Sequence, residues 1–160
     1  MQIRMVGSVA VLGLGFVLMG VSVMAQDTKD VPLPQLPQGA GKVDADAPKT
    51  FKMTKSGLQY RILRNSTGTK PNEANKVNVN YHGWLDNGKV FDSSYRRGEP
   101  ISFPLNRVIP GWTEGMQLVG EGGMIELTIP SNLAYGERGA GADVPPNAQL
   151  HFLVELLKVE

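Results

Sequence analysis

Asp92, Ser93 and Ser94 stand in a row, and His82 and His151 are the only histidines. A serine, a histidine to take its proton and a carboxylate to orient the histidine are the parts of a nucleophilic triad. The surrounding sequence argues against one. No Gly-x-Ser-x-Gly elbow sets a serine between a strand and a helix, and Ser93-Ser94 read as a strand end or a local turn. The chain has no cysteine, which removes thiol nucleophiles, thiolate metal sites and disulfides together. Two scattered histidines do not suggest a metal site, so none is expected. "GEGG" (120–123) and "GERGAG" (136–141) are glycine-rich. Neither is followed by Lys-Ser/Thr, and neither sits between a strand and a helix as a phosphate loop must. Both read as turns, and no cofactor is implied.

What remains is aromatic. Tyr81, Phe91, Phe103, Trp112, Tyr135 and Phe152 come from six different segments. They are either ordinary core or one concave wall, and only the elements that carry them can decide. In "GLQYRILR" (57–64), Leu58, Tyr60 and Ile62 alternate with Gln59 and Arg61, the pattern of a half-buried strand. In "KVNVNYHGWL" (76–85), Val77, Val79 and Tyr81 share one face, and Asn78, Asn80 and His82 the other. Asn87-Gly88 then predicts a two-residue hairpin turn, with "VFDSS" as the returning strand. "ISFPL" (101–105) is a short extended piece whose Pro104 suggests an edge or a bulge. "GMIELTIP" (123–130) and "QLHFLVELLKVE" (149–160) predict two more strands. One helix is expected after Pro110-Gly111, with Trp112, Met116 and Val119 on a common face. The fold class is therefore α+β, an antiparallel β-sheet wrapped around one short α-helix.

The chain of 160 residues is 41% apolar and 19% charged, enough for one core. Arg4 is the only charge before Asp27, so the rest holds 15 basic and 15 acidic residues. That balance gives no electrostatic case for nucleic acid or anionic lipid. Residues 1–25 read as a secretory signal peptide: Arg4, an uncharged apolar run, and small residues Val23 and Ala25 before a cut after Ala25. The rival is an uncleaved anchor, since the run is long enough to span a bilayer. No cysteine follows the run, which excludes a lipoprotein. Cleavage would give an exported, periplasmic protein without stable membrane association. Residues 26–50, with four prolines and few large apolar groups, predict a disordered tether or, less simply, a Pro-rich recognition motif. The folded domain is then expected over 51–160.

"VNYHGWLDNGKVFDSS", "VIPGWTEGMQLVGEGGMIELTIPSNLAYG" and "VPPNAQLHFLVELLKVE" resemble, in order and without large gaps, the FKBP-type peptidyl-prolyl isomerases. The Tyr-x-Gly strand, Phe-Asp-Ser-Ser, Val-Ile-x-Gly-Trp, and Ala-Tyr-Gly followed by Pro-Pro make a specific combination. The resemblance implies a rotamase acting on X-Pro bonds in polypeptides, with macrolides as possible inhibitors. It implies Trp112 as the floor under a proline ring and Tyr81, Phe91, Phe103 and Phe152 as walls, with Val108 and Ile109 at one side. The Ile109 N–H would bind a substrate carbonyl, Asp92 would be a buried carboxylate near the twisted amide, and Tyr135 would offer its hydroxyl. Residues 134–150 would be a flap placed by Gly136, Gly139, Gly141 and Pro145-Pro146, with Val144 touching ligand. Catalytic roles thus fall on Tyr81, Asp92 and Tyr135. Ile101, Ala140 and Asp143 depart from common family residues, which bears on substrate preference and macrolide affinity. Long helical dimerisation regions of some exported members have no counterpart in the Pro-rich segment, so a monomer is expected. The alternative is a non-catalytic chaperone or adaptor using the same groove.

Overall fold

Alternating Val77, Val79 and Tyr81 do form the buried face of a long strand. In the computed structural model, which describes residues 29–160, seven strands run in chain order. They are β1 (Lys52–Met53), β2 (Gln59–Arg64), β3 (Lys76–Leu85), β4 (Val90–Ser93), β5 (Ile101–Pro104), β6 (Met124–Ile129) and β7 (Leu150–Val159). All pair antiparallel in one sheet of order β1-β2-β6-β7-β3-β4, with β5 beside β4 on the same edge of β3. The two ten-residue strands, β3 and β7, pair along their whole length and form its spine. Two short α-helices, α1 (Ser94–Arg97), which the sequence pattern does not announce, and α2 (Pro110–Met116), and three 3-10 turns, Leu105–Arg107, Ser131–Leu133 and Gly136–Arg138, complete the regular structure. The expected signal peptide and the cut after Ala25 lie outside the described residues. Among the described residues no helix is long and apolar enough to cross a membrane.

The expected helix is α2. Pro110 occupies its first turn, where a missing N–H costs nothing. Trp112, Met116 and, just past the helix end, Val119 point at the sheet and are all but fully buried. The helix lies very close to β6. A Cβ on Gly111 would stand 2.4 Å from Ile129 Cγ2, and one on Gly115 would stand 2.8 Å from Leu127 Cδ1. Glycine at these positions lets the helix press Trp112 onto the sheet.

Two local expectations need correction. The β3–β4 turn is not a two-residue Asn-Gly turn. Leu85 O accepts from Gly88 N at 2.8 Å and Leu85 N donates to Lys89 O at 3.0 Å, and Gly88 alone takes a positive φ, of 80°. This is the three-residue hairpin, in which Asn87 stays right-handed and accepts from Lys89 N through its side chain.

The larger correction concerns the segment read as a disordered tether. Residues 29–50 lie across the outer face of the sheet as a strap. The reason is Arg61. Strand alternation points it away from α2, yet it is only 1% exposed. Its Nε donates to Glu126 Oε2 at 2.6 Å, and its remaining donors reach strap carbonyls: Val31 O and Pro32 O at 2.7 Å, Lys49 O at 3.2 Å. Phe51 covers the guanidinium at 4.5 Å. Composition underestimates such a segment because it counts apolar side chains. Proline gives up its N–H but keeps its carbonyl, and a buried arginine has five donors to satisfy. Val43 and Ala47 add a small apolar contact on Leu63, Met124 and Leu153. With both faces covered, every residue of β6 is buried.

Candidate active site

The inner face of the sheet and the start of α2 enclose one aromatic cavity of about 180 Å³. Trp112 forms its floor. The indole meets Tyr81, Phe103 and Phe152 edge-on, with ring centroids 5.4, 5.4 and 5.1 Å away. Phe91 meets Phe152 at 5.4 Å and 89°. Edge-to-face contacts of this kind stabilise beyond plain burial and hold the rings upright, so they frame a cavity and do not fill it. The rings come from β3, β4, β5, α2 and β7, whose packing brings together residues as far apart in the chain as Tyr81 and Phe152. Val108 and Ile109, from the loop entering α2, line one side, and Tyr135, from the loop after β6, lines the mouth. Of the two open readings, core or concave wall, the structure gives both: Trp112 and Phe152 are 5% exposed, packed into the core from behind and bare toward the cavity.

Polar groups gather at one rim. The Tyr81 hydroxyl donates to Asp92 Oδ2, Arg97 Nη1 donates to Asp92 Oδ1, and Arg97 Nη2 donates to the Tyr81 oxygen at 2.7 Å. Asp92 was expected to be buried. Its side chain is instead 43% exposed, because the carboxylate looks outward to Arg97. Burial raises the Asp92 carboxyl, but the Tyr81 hydroxyl and the Arg97 guanidinium outweigh it and hold the pKa below the ordinary value. Burial, then the Asp92 carboxylate, push the Tyr81 phenol up, so it stays a neutral donor. Arg97 was absent from the sequence reading. The signal available was a cation five residues after Asp92, which becomes meaningful only when α1 turns it back.

Val144 requires a second correction. It is 4% exposed, sits in the core cluster and does not line the cavity. Paired bonds between Ala140 and Val144, at 2.9 and 3.1 Å, turn its apolar side chain under the loop. The lining position is taken by Ile101, which is 40% exposed. The 134–150 loop is nonetheless built as a defined excursion. It opens with a 3-10 turn at Gly136–Arg138 and is closed by Asn147 N to Gly136 O at 2.8 Å. Asp143 at its far end bonds Lys89 Nζ at 3.0 Å, tying the loop to the β3–β4 turn. Ile109 caps α2, its carbonyl accepting from Trp112 N at 2.9 Å, while its own N–H has no partner among the described residues. The Tyr135 hydroxyl likewise has none.

The histidines lie elsewhere. His82 Nδ1 contacts Ser93 Oγ at 3.1 Å on the outer face, but Ser93 is 3% exposed and no carboxylate among the described residues completes a triad. His151 stacks on Trp84 at 5.6 Å and bonds Asp86 at 2.6 Å. No cluster of three or more metal-ligating side chains occurs among the described residues.

Known proteins carry the same frame. The chain is 55% identical over 109 residues to an FKBP-type peptidyl-prolyl cis-trans isomerase FkpA of Aeromonas hydrophila, covering 68% of this chain and 40% of that protein. It is 54% identical over 106 residues to the FKBP-type 22 kDa peptidyl-prolyl cis-trans isomerase of Escherichia coli K12, covering 66% of this chain and 52% of that one. The crystal structure of FkpA from Escherichia coli superposes with a TM-score of 0.67 at 49% identity, over 69% of this chain and 51% of that one. The chain thus spans about half the length of the curated relatives it matches. Residues 67–157, from the loop before β3 almost to the end of β7, match the FKBP-type peptidyl-prolyl cis-trans isomerase family as a whole. That stretch carries every wall of the aromatic cavity, and on it this chain belongs to the FKBP-type peptidyl-prolyl cis-trans isomerase family.

Proposed function

We propose that this protein catalyses cis-trans isomerisation of X-Pro bonds in exported polypeptides, and that the cavity on Trp112 is where it does so. The observation that carries the reading is the cavity's composition: four upright rings on an indole floor, a free backbone N–H and a single charged rim. An X-Pro bond isomerises over a barrier of about 18–20 kcal/mol, which is lost amide resonance. Twisting the bond draws charge off its oxygen, so the transition state is less polar than the ground state. A water-poor pocket that grips the twisted form better lowers the barrier with no nucleophile. A thousand turnovers per second would take roughly 7 kcal/mol of differential binding.

In this reading the proline ring rests on Trp112 between Tyr81, Phe103 and Phe152. The Ile109 N–H and the Tyr135 hydroxyl hold the substrate backbone on either side of the twisting bond. Asp92, kept charged by Arg97 and Tyr81, faces the amide at the rim. Ile101 at the mouth favours an apolar residue before proline. The same pocket is the place a macrolide would compete. Export rests on the apolar run and small-residue cut site of residues 1–25.

The test is a prolyl-peptide assay on the folded chain beginning at Gln26. Acceleration of an X-Pro tetrapeptide, unchanged by a chelator, is expected. A rate equal to buffer with folded protein would instead favour the non-catalytic groove binder. Intact mass of the secreted material checks the cut after Ala25.

A further inference from the structure

A single helical turn cannot hold its own shape, because nucleation costs more than one hydrogen bond returns. Yet α1 is one turn, and it carries Arg97, which holds the charged rim of the cavity together. Something outside α1 must fix its orientation. Its first residue is pinned to the sheet: Ser94 Oγ accepts from Tyr81 N at 2.8 Å and donates to Asn80 Oδ1 at 3.1 Å. Its second residue, Tyr95, provides the other pin. The half-buried ring runs to the outer face, where its hydroxyl donates to Glu155 Oε1.

Glu155 lies on β7 and is 5% exposed. The same Oε1 accepts from Gly41 N of the strap at 3.0 Å, and Oε2 accepts from Arg64 Nη2 of β2 at 2.8 Å. One carboxylate therefore holds strap, sheet and α1 at a single point. Burial and the neighbouring carboxylate push the Tyr95 phenol far up, so it stays a proton donor at any working pH. Tyr95 and Arg97 are two positions apart, which on a turn of 3.6 residues places them on opposite sides. The turn is thus held from the outer face and acts on the inner one.

We infer that Tyr95 is a positioning residue for the cavity: bound to Glu155, it sets α1 so that Arg97 reaches the Tyr81 hydroxyl and the Asp92 carboxylate at once. This rests on the reading of the cavity as the isomerase site. Tyr95 touches no substrate and acts only through Arg97.

A double-mutant cycle on the full chain tests it, with Tyr95→Phe, Arg97→Met and the pair, assayed well below the lowest melting midpoint. Tyr95→Phe is expected to lower kcat/KM about threefold and Arg97→Met about fivefold. The double variant should also lie about fivefold down, because with Arg97 gone Tyr95 has nothing left to position. A merely structural tyrosine would give additive losses, about fifteenfold together, and that result overturns the inference. So does a Tyr95→Phe rate equal to wild type while Arg97→Met is slow, an outcome that leaves the cavity reading standing. If Arg97→Met and Trp112→Ala both run at the wild-type rate, the cavity reading itself has failed, and this inference with it.

Discussion

The two faces of this sheet are closed by opposite means. The inner face is aromatic, packed edge-to-face around Trp112, and left open at one mouth. The outer face carries a buried ion pair, Arg61–Glu126 at 2.6 Å, and a half-buried one, Arg64–Glu155 at 2.8 Å, covered by a strap of little apolar content. A face that must admit a ligand cannot fill itself with well-packed side chains. The outer face is covered instead through polar partners, and no buried side-chain nitrogen or oxygen among the described residues lacks one. The contrast separates what holds the fold from what shapes the cavity, with the Tyr95–Glu155 contact as the crossing point.

The separation can be broken from either side. Trp112→Ala should do the most damage, removing about 3–5 kcal/mol of stability as a large aromatic leaves the core, and abolishing most of the isomerase rate as well. Denaturant titration and the peptide assay read the two losses. Arg61→Met should cost a comparable about 3–5 kcal/mol, because the Glu126 carboxylate and the strap carbonyls lose their donor inside the protein. Here the rate of the folded protein should stay within about twofold of wild type. A slow but folded Arg61→Met would mean that the faces are not separable.

Acid should act more gently. Burial raises the Glu155 carboxyl, but Tyr95, Gly41 and Arg64 bind it and hold its pKa below the ordinary 4.5. A depressed carboxyl contributes stability that is fully present above its unfolded value and lost as pH falls through the folded one. Asp92 follows the same sign. Glu126 has the opposite one, since burial raises its pKa despite Arg61, and its protonation offsets part of the loss. Burial also lowers the His82 pKa, so stability begins to fall as pH drops through about 6.5, and the melting temperature should fall further below about pH 4 as the carboxylates protonate. Glu155→Gln should flatten that fall, and an unchanged slope would remove Glu155 from the account. The smallest effect is expected from Tyr135→Phe at the mouth, where the ring is 42% exposed. Losing one hydroxyl contact with substrate should cost about 0.5–1.5 kcal/mol, a two- to tenfold slower rate, with no change in melting temperature.

Much of the inner face was legible in advance. Val77, Val79 and Tyr81 alternate because a strand alternates, and the buried face of β3 follows from that period. Trp112 and Met116 repeat at helical spacing, and α2 follows as directly. The aromatic walls could be named because each sits in a short motif resembling a known family. The same alternation misled at Arg61. It correctly assigned the residue to the far face and gave no sign that this face is covered. Burial there depends on residues 29–50, whose composition says tether.

Local pattern by itself determined the strands, the helix, the aromatic set and the absence of thiol chemistry, because these follow from side-chain period and residue type. Only the tertiary structure decided that Asp92 looks outward to Arg97, that Ile101 and not Val144 lines the cavity, and that a proline-rich strap closes the outer face. Each of those outcomes is a choice of partner. A hydrogen bond or a buried contact is fixed by what stands opposite, and residues as distant as Gly41 and Glu155 meet only once the sheet has formed.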